Sequence, residues 1–194
     1  MPVEIEELSP KQLRKRRQII DAAKSVLIDV GPAACTTREI ARAGGLNQGL
    51  IHYYFSTTEE IIDAAMESLF AELTAGIAHA GTGLHDPVSR FWAVLEDYLG
   101  VFDRHPNLSL VWFEYWTMVT RTGHVDKVER LQDGLIDLLT SLLSDAGVDE
   151  APARARVILA YVLGVLVRRS VHPQTFEELR PEIASLARIS PRPE

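Results

Sequence analysis

The amino-acid sequence predicts an all-α fold of about nine helices, with an N-terminal three-helix head and a C-terminal helical body. Apolar residues recur every three or four positions along most of the chain, and no alternating strand pattern competes with them. Residues typical of helix starts and helix ends divide this pattern into segments of ordinary helix length. The chain has 194 residues, 46% of them hydrophobic, which is enough for a buried core under a polar surface.

Three helices are expected in the head, and each of them is ended by a glycine or an aromatic residue. Short polar side chains that can cap a helix precede the second and the third helix. The predicted limits are, in chain order, a first helix that stops at Gly31–Pro32, a second helix capped by Thr36 or Thr37 that runs to about Ala43, a break at Gly44–Gly45, and a third helix from an Asn47 cap through Phe55.

Six further helices are expected in the body. Ser56 and Thr57 precede a long fourth helix that ends at residues 81–83, and Asp86–Pro87 predicts an N-cap followed by proline at the first helical position. The remaining helices are expected to run from there to about Asp103, from Asn107 to about Arg121, over a stripe from Val128 to Leu142 that ends at Gly147, from Ala151 to about Val171, and from Thr175 to Arg188.

The charge of the chain is divided unevenly between these two parts. The formal net charge is −7, which taken alone argues against a nucleic-acid partner. Residues 11–55 hold eight basic and three acidic side chains, a charge of +5, whereas residues 56–194 hold twelve basic and twenty-one acidic side chains, a charge of −9. A basic head on an acidic body therefore predicts a DNA-binding domain over residues 9–56 and a ligand-binding and dimerisation domain over residues 57–190.

Several classes of protein are excluded by simple features of the sequence. The longest near-continuous apolar run, residues 157–167, is too short to span a bilayer, and the N-terminus lacks the apolar core of a secretory signal. Cys35 is the single cysteine, so an intramolecular disulfide is impossible, and the six histidines show no pair at metal-ligand spacing. We therefore predict a cytoplasmic protein with no membrane partner, no metal and no cofactor.

Residues 37–55 have the organisation of a helix-turn-helix, in which the second helix enters the DNA major groove. The second of these helices, from Asn47 to Phe55, would be the recognition helix. Its N-terminal side chains would face base edges, and the amide of Gln48, like that of Asn47, can pair with adenine through two hydrogen bonds. Gly49 would let the backbone approach DNA closely, while Ile51 and Phe55 would face the core.

The segment TTREIARAGGLNQGLIHYYFSTTEEI, residues 36–61, resembles the DNA-binding segment of the TetR-type transcriptional regulators. The shared features are Thr37, the Ile40–Ala41 pair, Ala43–Gly44, Gly49, Ile51, Tyr54–Phe55 and Glu59–Glu60–Ile61. The middle region, with Trp112 and Trp116, is loosely similar to the BetI-like branch of that family. The chain departs from the family pattern at Thr58, where a phosphate-binding lysine is usual, and also at Gln48 and His52, where lysine and tyrosine are frequent.

This resemblance implies a role for each polar residue of the motif. Phosphate contacts are expected from the N-terminus of the second helix and from the end of the recognition helix, and base contacts from the exposed start of the recognition helix. The residues expected to bind phosphates are Thr37, Arg38, Tyr53, Tyr54 and Thr58, and those expected to read bases are Asn47, Gln48 and His52. Taken one by one, the arginines could be ordinary solvated side chains and Tyr54 could belong to the core.

The body offers a candidate dimer interface. The segment Val157–Val167 is apolar on all sides, so a helix there must be covered on two faces, one by the domain core and the other by a second subunit. Two helices from each subunit would form a four-helix bundle, as the family resemblance also implies. The predicted interface residues are Val162, Val165, Leu166, Phe176, Leu179 and Ile183. A monomer with a central buried helix is the alternative.

Aromatic side chains are concentrated in the fifth and sixth predicted helices, which hold all three tryptophans. The resemblance implies a ligand cavity among these helices, and aromatic walls suit an apolar or cationic small molecule. The predicted ligand-binding residues are Phe91, Trp92, Leu95, Trp112, Tyr115, Trp116 and Tyr161. For any one of them, ordinary core packing explains the pattern equally well.

Together, these observations predict a DNA-binding transcriptional regulator rather than an enzyme. It would act as a repressor that binds a palindromic operator as a homodimer and is released by a small-molecule effector. Two alternatives stay open: a helical enzyme built around the aromatic cavity, and a protein-interaction module whose basic head meets an acidic partner. Selective capture of one genomic DNA fragment would distinguish the regulator from both.

Overall fold

A computed structural model describes residues 8–169 and 171–190, and this part of the chain contains nine α-helices, one short 3-10 helix at Pro32–Ala34 and no strand. The all-α fold is confirmed. The helices, in chain order, are α1 (Pro10–Val30), α2 (Thr37–Gly44), α3 (Gln48–Tyr54), α4 (Thr58–Ala80), α5 (Pro87–Arg104), α6 (Leu108–Arg121), α7 (Asp126–Asp145), α8 (Ala151–Arg168) and α9 (Phe176–Ala187).

The N-cap residues expected from the sequence precede the helices as predicted. The side chains of Thr36, Asn47 and Asp86 accept hydrogen bonds from the first-turn amides of α2, α3 and α5. Of the two threonines that were candidates for the α2 cap, Thr36 is the one used. Helix α8 ends at Arg168, three residues before the predicted limit. These short-range signals therefore set most helix limits.

The chain divides into two compact units. The first comprises residues 8–70 and 110–128 of the described chain, and the second comprises residues 71–109, 129–169 and 171–190. Helices α1, α2 and α3 lie wholly in the first unit, and α5, up to Arg104, lies wholly in the second. The predicted division at residues 56 and 57 does not follow this grouping and stays a prediction.

The first unit has a core of aliphatic side chains from its three N-terminal helices. Ile19 and Leu27 of α1, Ile40 of α2 and Ile51 of α3 are completely excluded from solvent. Phe55 closes this core just after α3 and carries the Arg16 guanidinium 4.7 Å from its ring centroid. Burying these apolar side chains holds α2 and α3 in a defined orientation on α1.

The second unit is built around α5, α8 and α9. Phe91, Trp92 and Leu95 of α5 are fully buried, and so are Ile158 of α8 and Ile183 of α9. The Trp92 indole N–H donates to the Ser190 carbonyl oxygen at 3.2 Å, so the one polar atom of that ring is satisfied. Within the described residues, no helix is long and apolar enough to cross a membrane.

Candidate nucleic-acid interface

Helices α2 and α3 are joined by a tight turn that requires glycine at two positions. Gly45 adopts a left-handed conformation with φ +59°, and the amide of Leu46 donates to the Ala41 carbonyl at 2.8 Å. A Cβ atom on Gly44 would lie 2.9 Å from the Cβ of Ala22 in α1, which is closer than two such atoms can approach. The Gly44–Gly45 pair therefore ends α2 and also allows the turn to pack directly on α1.

The N-terminus of the candidate recognition helix presents two amide side chains in different states. The Oδ1 of Asn47 accepts the Gly49 amide at 2.7 Å and caps α3, so this oxygen is occupied. Gln48 is exposed, and no described residue forms a hydrogen bond with its amide. A bidentate pair with adenine needs both a free donor and a free acceptor on one amide, and Gln48 meets that requirement without breaking a helix cap.

The aromatic residues at the end of α3 differ sharply in burial. The side chain of Tyr53 is 47% exposed, whereas Tyr54 is 6% exposed and packs edge to face against Tyr53 with ring centroids 5.0 Å apart. Burial raises the pKa of Tyr54, and the neighbouring Tyr53 raises it further. His52 is exposed beside them. Of the two tyrosines predicted to bind phosphate, Tyr53 is therefore the one whose side chain is largely exposed.

The predicted phosphate-binding residues outside α3 lie at the starts of helices. Thr37 is the first residue of α2, and Arg38 next to it is exposed, whereas Arg42 is paired with Glu39 at 2.6 Å. Thr58 is the first residue of α4. The backbone amide groups at such helix starts suit an anion, so Thr37 and Thr58 can contribute both a hydroxyl and a backbone donor.

Two glutamines of α1 belong to this surface and were not predicted from the sequence. The Gln12 amide nitrogen donates to the Tyr53 hydroxyl at 3.1 Å, and the Gln18 amide nitrogen donates to the Gly44 carbonyl at 3.1 Å. The sequence contains one indication for Gln12, because Ser9 and Gln12 have the spacing of a capping box, which predicts that the Gln12 side chain folds back onto the start of α1. No local pattern indicates a contact with a residue forty-one positions away.

The predicted ligand-binding residues are divided between the two units. Phe91, Trp92 and Leu95 are core residues of the second unit, and the half-buried Tyr161 lies on its α8. The three others belong to α6 in the first unit: Trp112 is buried, Tyr115 is buried with its hydroxyl donating to Asp63 at 2.9 Å, and Trp116 is 46% exposed. Their contact with a ligand stays a prediction.

An open cleft of about 950 Å³ lies within the second unit, along α5, the end of α8 and the start of α9. Its lining combines the apolar side chains of Leu99, Val165 and Phe176 with two ion pairs. Asp97 is paired with Arg104, Asp103 is paired with Arg169, and Glu96 and Glu178 add two further carboxylates. None of the seven predicted ligand-binding residues lines this cleft.

The predicted dimer residues on α8 and α9 differ in burial, and their place in an interface stays a prediction. Val162, Leu166, Leu179 and Ile183 are at most 4% exposed, so they have almost no surface left to bury against a partner. Val165 and Phe176 are half-buried and line the cleft. Other apolar residues in this region are exposed. Val157 and Val167 of α8 are 48% and 56% exposed, and Val171, which follows the helix, is 71% exposed.

Comparison with known proteins connects this architecture to one family. Residues 19–65 match the family described as "Bacterial regulatory proteins, tetR family". The chain is 25% identical over 166 residues to the HTH-type transcriptional regulator BetI 1 of Chromohalobacter salexigens, covering 82% of this chain and 81% of the relative. It is 26% identical over 162 residues to the HTH-type transcriptional regulator BetI of Rhizobium meliloti, covering 81% and 78%.

Solved structures show the same fold. A TetR-family transcriptional regulator from Agrobacterium tumefaciens superposes with a TM-score of 0.69 at 23% identity, covering 92% of this chain and 99% of that chain. The multidrug binding protein EbrR, solved in complex with proflavin, superposes with a TM-score of 0.65 at 24% identity, covering 89% and 99%. The helix-turn-helix, the match over residues 19–65 and the relatives named above support a TetR-type transcriptional regulator, and the solved structures show the same all-α fold.

Proposed function

We propose that the protein is a one-component repressor that binds a palindromic operator as a homodimer and releases it when a small-molecule effector binds. The observation that carries the DNA-binding part is the exposed, unpaired Gln48 amide at the start of α3, in a head whose residues 11–55 have a charge of +5. This charge attracts the phosphate backbone regardless of sequence, while the amide supplies base recognition. His52, exposed one turn further along α3, is the second base-reading candidate.

Phosphate contacts in this proposal come from the edges of the helix-turn-helix. Arg38 is exposed at the start of α2, and Thr37, Thr58 and the Tyr53 hydroxyl provide uncharged donors. Such contacts orient the protein on the duplex without reading sequence. Because the usual lysine is replaced by Thr58, we expect fewer released counterions and a weaker salt dependence than a lysine at that position would give.

The homodimer would form through the outer face of α8. Val157, Tyr161, Gly164 and Val167 follow one another at intervals of three or four residues and form one stripe on α8. Val157 and Val167 are about half exposed, and Gly164 has no neighbouring atom within 4 Å of a Cβ built on it. Two such stripes related by a two-fold axis would bury each other, and a two-fold dimer binds half-sites about one helical turn, or a multiple of it, apart.

The effector would bind in the cleft of the second unit. Its volume lies in the range typical of small-molecule sites, and a lining that combines apolar side chains with polar and charged groups is typical of them. Four carboxylates and two guanidinium groups line it, which favours a neutral or cationic ligand. Such a ligand releases DNA only if it binds one conformation of the dimer more tightly than the other.

Selection from fragmented genomic DNA tests the DNA-binding proposal. We expect the wild-type chain to enrich one fragment that contains an inverted repeat. Gln48→Ala should relax preference at one position of each half-site, at a cost of about 1–3 kcal/mol in discrimination. Arg38→Ala should weaken binding to all sequences and reduce the salt slope by about 1, whereas Arg121→Ala, an exposed arginine of α6, serves as the matched control. Enrichment of no sequence would refute the repressor.

A further inference from the structure

We infer that Gln12 is a positioning residue that holds the Tyr53 hydroxyl as a hydrogen-bond donor toward a DNA phosphate. The inference rests on the proposed DNA binding and adds a residue outside the helix-turn-helix to that site. The two side chains come from different helices, α1 and α3, and the Gln12 Nε2 lies 3.1 Å from the Tyr53 hydroxyl oxygen.

The orientation of the Gln12 amide is set by the cap at the start of α1. Its Oε1 accepts the backbone amide of Ser9 at 2.9 Å and the Ser9 hydroxyl at 2.7 Å, while the Ser9 Oγ accepts the Gln12 backbone amide at 3.4 Å. A backbone N–H can only donate, so the end of the side chain that meets it must be the carbonyl oxygen. The NH₂ group is therefore the end that faces Tyr53.

This orientation determines whether the Tyr53 hydroxyl accepts or donates in its hydrogen bond with Gln12. Because Gln12 donates to the hydroxyl oxygen, the phenolic hydrogen is not used in that bond and can be donated elsewhere. A phosphodiester oxygen accepts hydrogen bonds and cannot donate them. The capped Gln12 thus presents Tyr53 in the donor state that a phosphate requires.

The ring of Tyr53 is held at its other side as well. Tyr54 contacts it edge to face at an interplanar angle of 89°, and Tyr54 itself is anchored in the core with only 6% of its surface exposed. Tyr53 therefore has a fixed support under its ring and a fixed donor at its hydroxyl, while 47% of its surface is open. A donor that is already oriented loses less conformational entropy when it binds.

A double-mutant cycle on operator affinity tests this role. Tyr53→Phe removes the hydrogen bond to the charged phosphate, so we expect the operator affinity to fall about tenfold or more. Gln12→Ala removes only the group that orients this hydroxyl, so we expect its affinity to fall several-fold. If Gln12 acts through Tyr53, Gln12→Ala should cost less than about twofold when added to Tyr53→Phe. Both single variants should weaken an unrelated duplex by the same factor as the operator, since phosphates carry no sequence information.

Gln12→Glu separates positioning from a general effect on α1. A glutamate keeps the carbonyl-like acceptor for Ser9, so the cap and the thermal stability should be retained. Its second oxygen would accept the Tyr53 proton and add a negative charge, so binding should fall at least as far as in Gln12→Ala.

Four results decide the outcome. Affinity that is unchanged in Gln12→Glu, or losses that multiply in the double variant, would overturn the role of Gln12 while leaving the repressor intact. A wild-type chain that binds duplex DNA without sequence preference would overturn the proposed operator, and the phosphate contact would then be confirmed or refuted by the cycle on random duplex. A wild-type chain that binds no duplex would overturn both.

Discussion

Replacing Asn47 tests whether this side chain caps the recognition helix or reads bases. Its Oδ1 accepts the Gly49 amide at 2.7 Å, and α3 is only seven residues long, so one side-chain cap serves the whole N-terminus of the helix. Loss of such a cap costs about 1 kcal/mol. For a chain of this size, that corresponds to a decrease of about 2–4 °C in the melting temperature.

The comparison that isolates the cap is Asn47→Ala against Asn47→Ser. Serine is as good an N-cap residue as asparagine. We therefore expect the free energy of unfolding of Asn47→Ser to lie within about a few tenths of a kcal/mol of the wild-type value. Asn47→Ala should show the full decrease in thermal unfolding followed by circular dichroism, and its Gly49 amide should exchange with solvent faster. Equal melting temperatures for the two variants would show that the cap contributes nothing to stability.

Operator binding by the same variants completes the test. Because the Asn47 oxygen is committed to Gly49, Asn47→Ser should keep the base preference of the wild type, whereas Gln48→Ala should lose it at one position. If Asn47→Ser relaxes the preference as strongly as Gln48→Ala, then Asn47 reads bases, as the sequence predicts, and the argument from its cap fails.

Three further outcomes are expected. Val167→Asp should place a charge in the proposed α8 interface and yield monomers in sedimentation velocity, whereas Leu13→Asp, at another exposed apolar position, on α1, should leave the assembly unchanged. Gly44→Ala should lower the free energy of unfolding by about 1–3 kcal/mol in urea titrations, because its Cβ would meet Ala22 at 2.9 Å. Burial raises the pKa of the Cys35 thiol to about 11, so the free energy of unfolding should decline as the pH rises from 9 toward 11, and Cys35→Ala should remove that decline.

In the head, local sequence predicts the helix caps but not which tyrosine is exposed. A polar residue before an apolar periodic segment predicts a cap, and Thr36, Asn47 and Asp86 all form one. The same reasoning could not choose between Tyr53 and Tyr54, because both follow Ile51 in a helix of two turns. Burial decides between them: Tyr54 is packed into the core, and Tyr53 is left at the surface.

For α8, local sequence predicts the helix but not which of its faces is exposed. A helix that is apolar on all sides is expected to be covered on two faces. Because apolar and polar residues do not alternate around it, the sequence does not indicate which face packs inside the subunit and which faces outward. The predicted interface residues Val162 and Leu166 are buried within the subunit, while Val157 and Val167 remain exposed. The helix was predictable, but its rotation about its own axis was not.

Local sequence therefore specified the all-α class, most of the helix limits and the helix-turn-helix. These depend on residues a few positions apart, whose backbone hydrogen bonds and charges act at short range. Tertiary packing decided which tyrosine is exposed, which face of α8 is free, where the cleft opens, and that Gln12 meets Tyr53. Those contacts join residues far apart in the chain, and only the burial of apolar surface around a shared core brings them together.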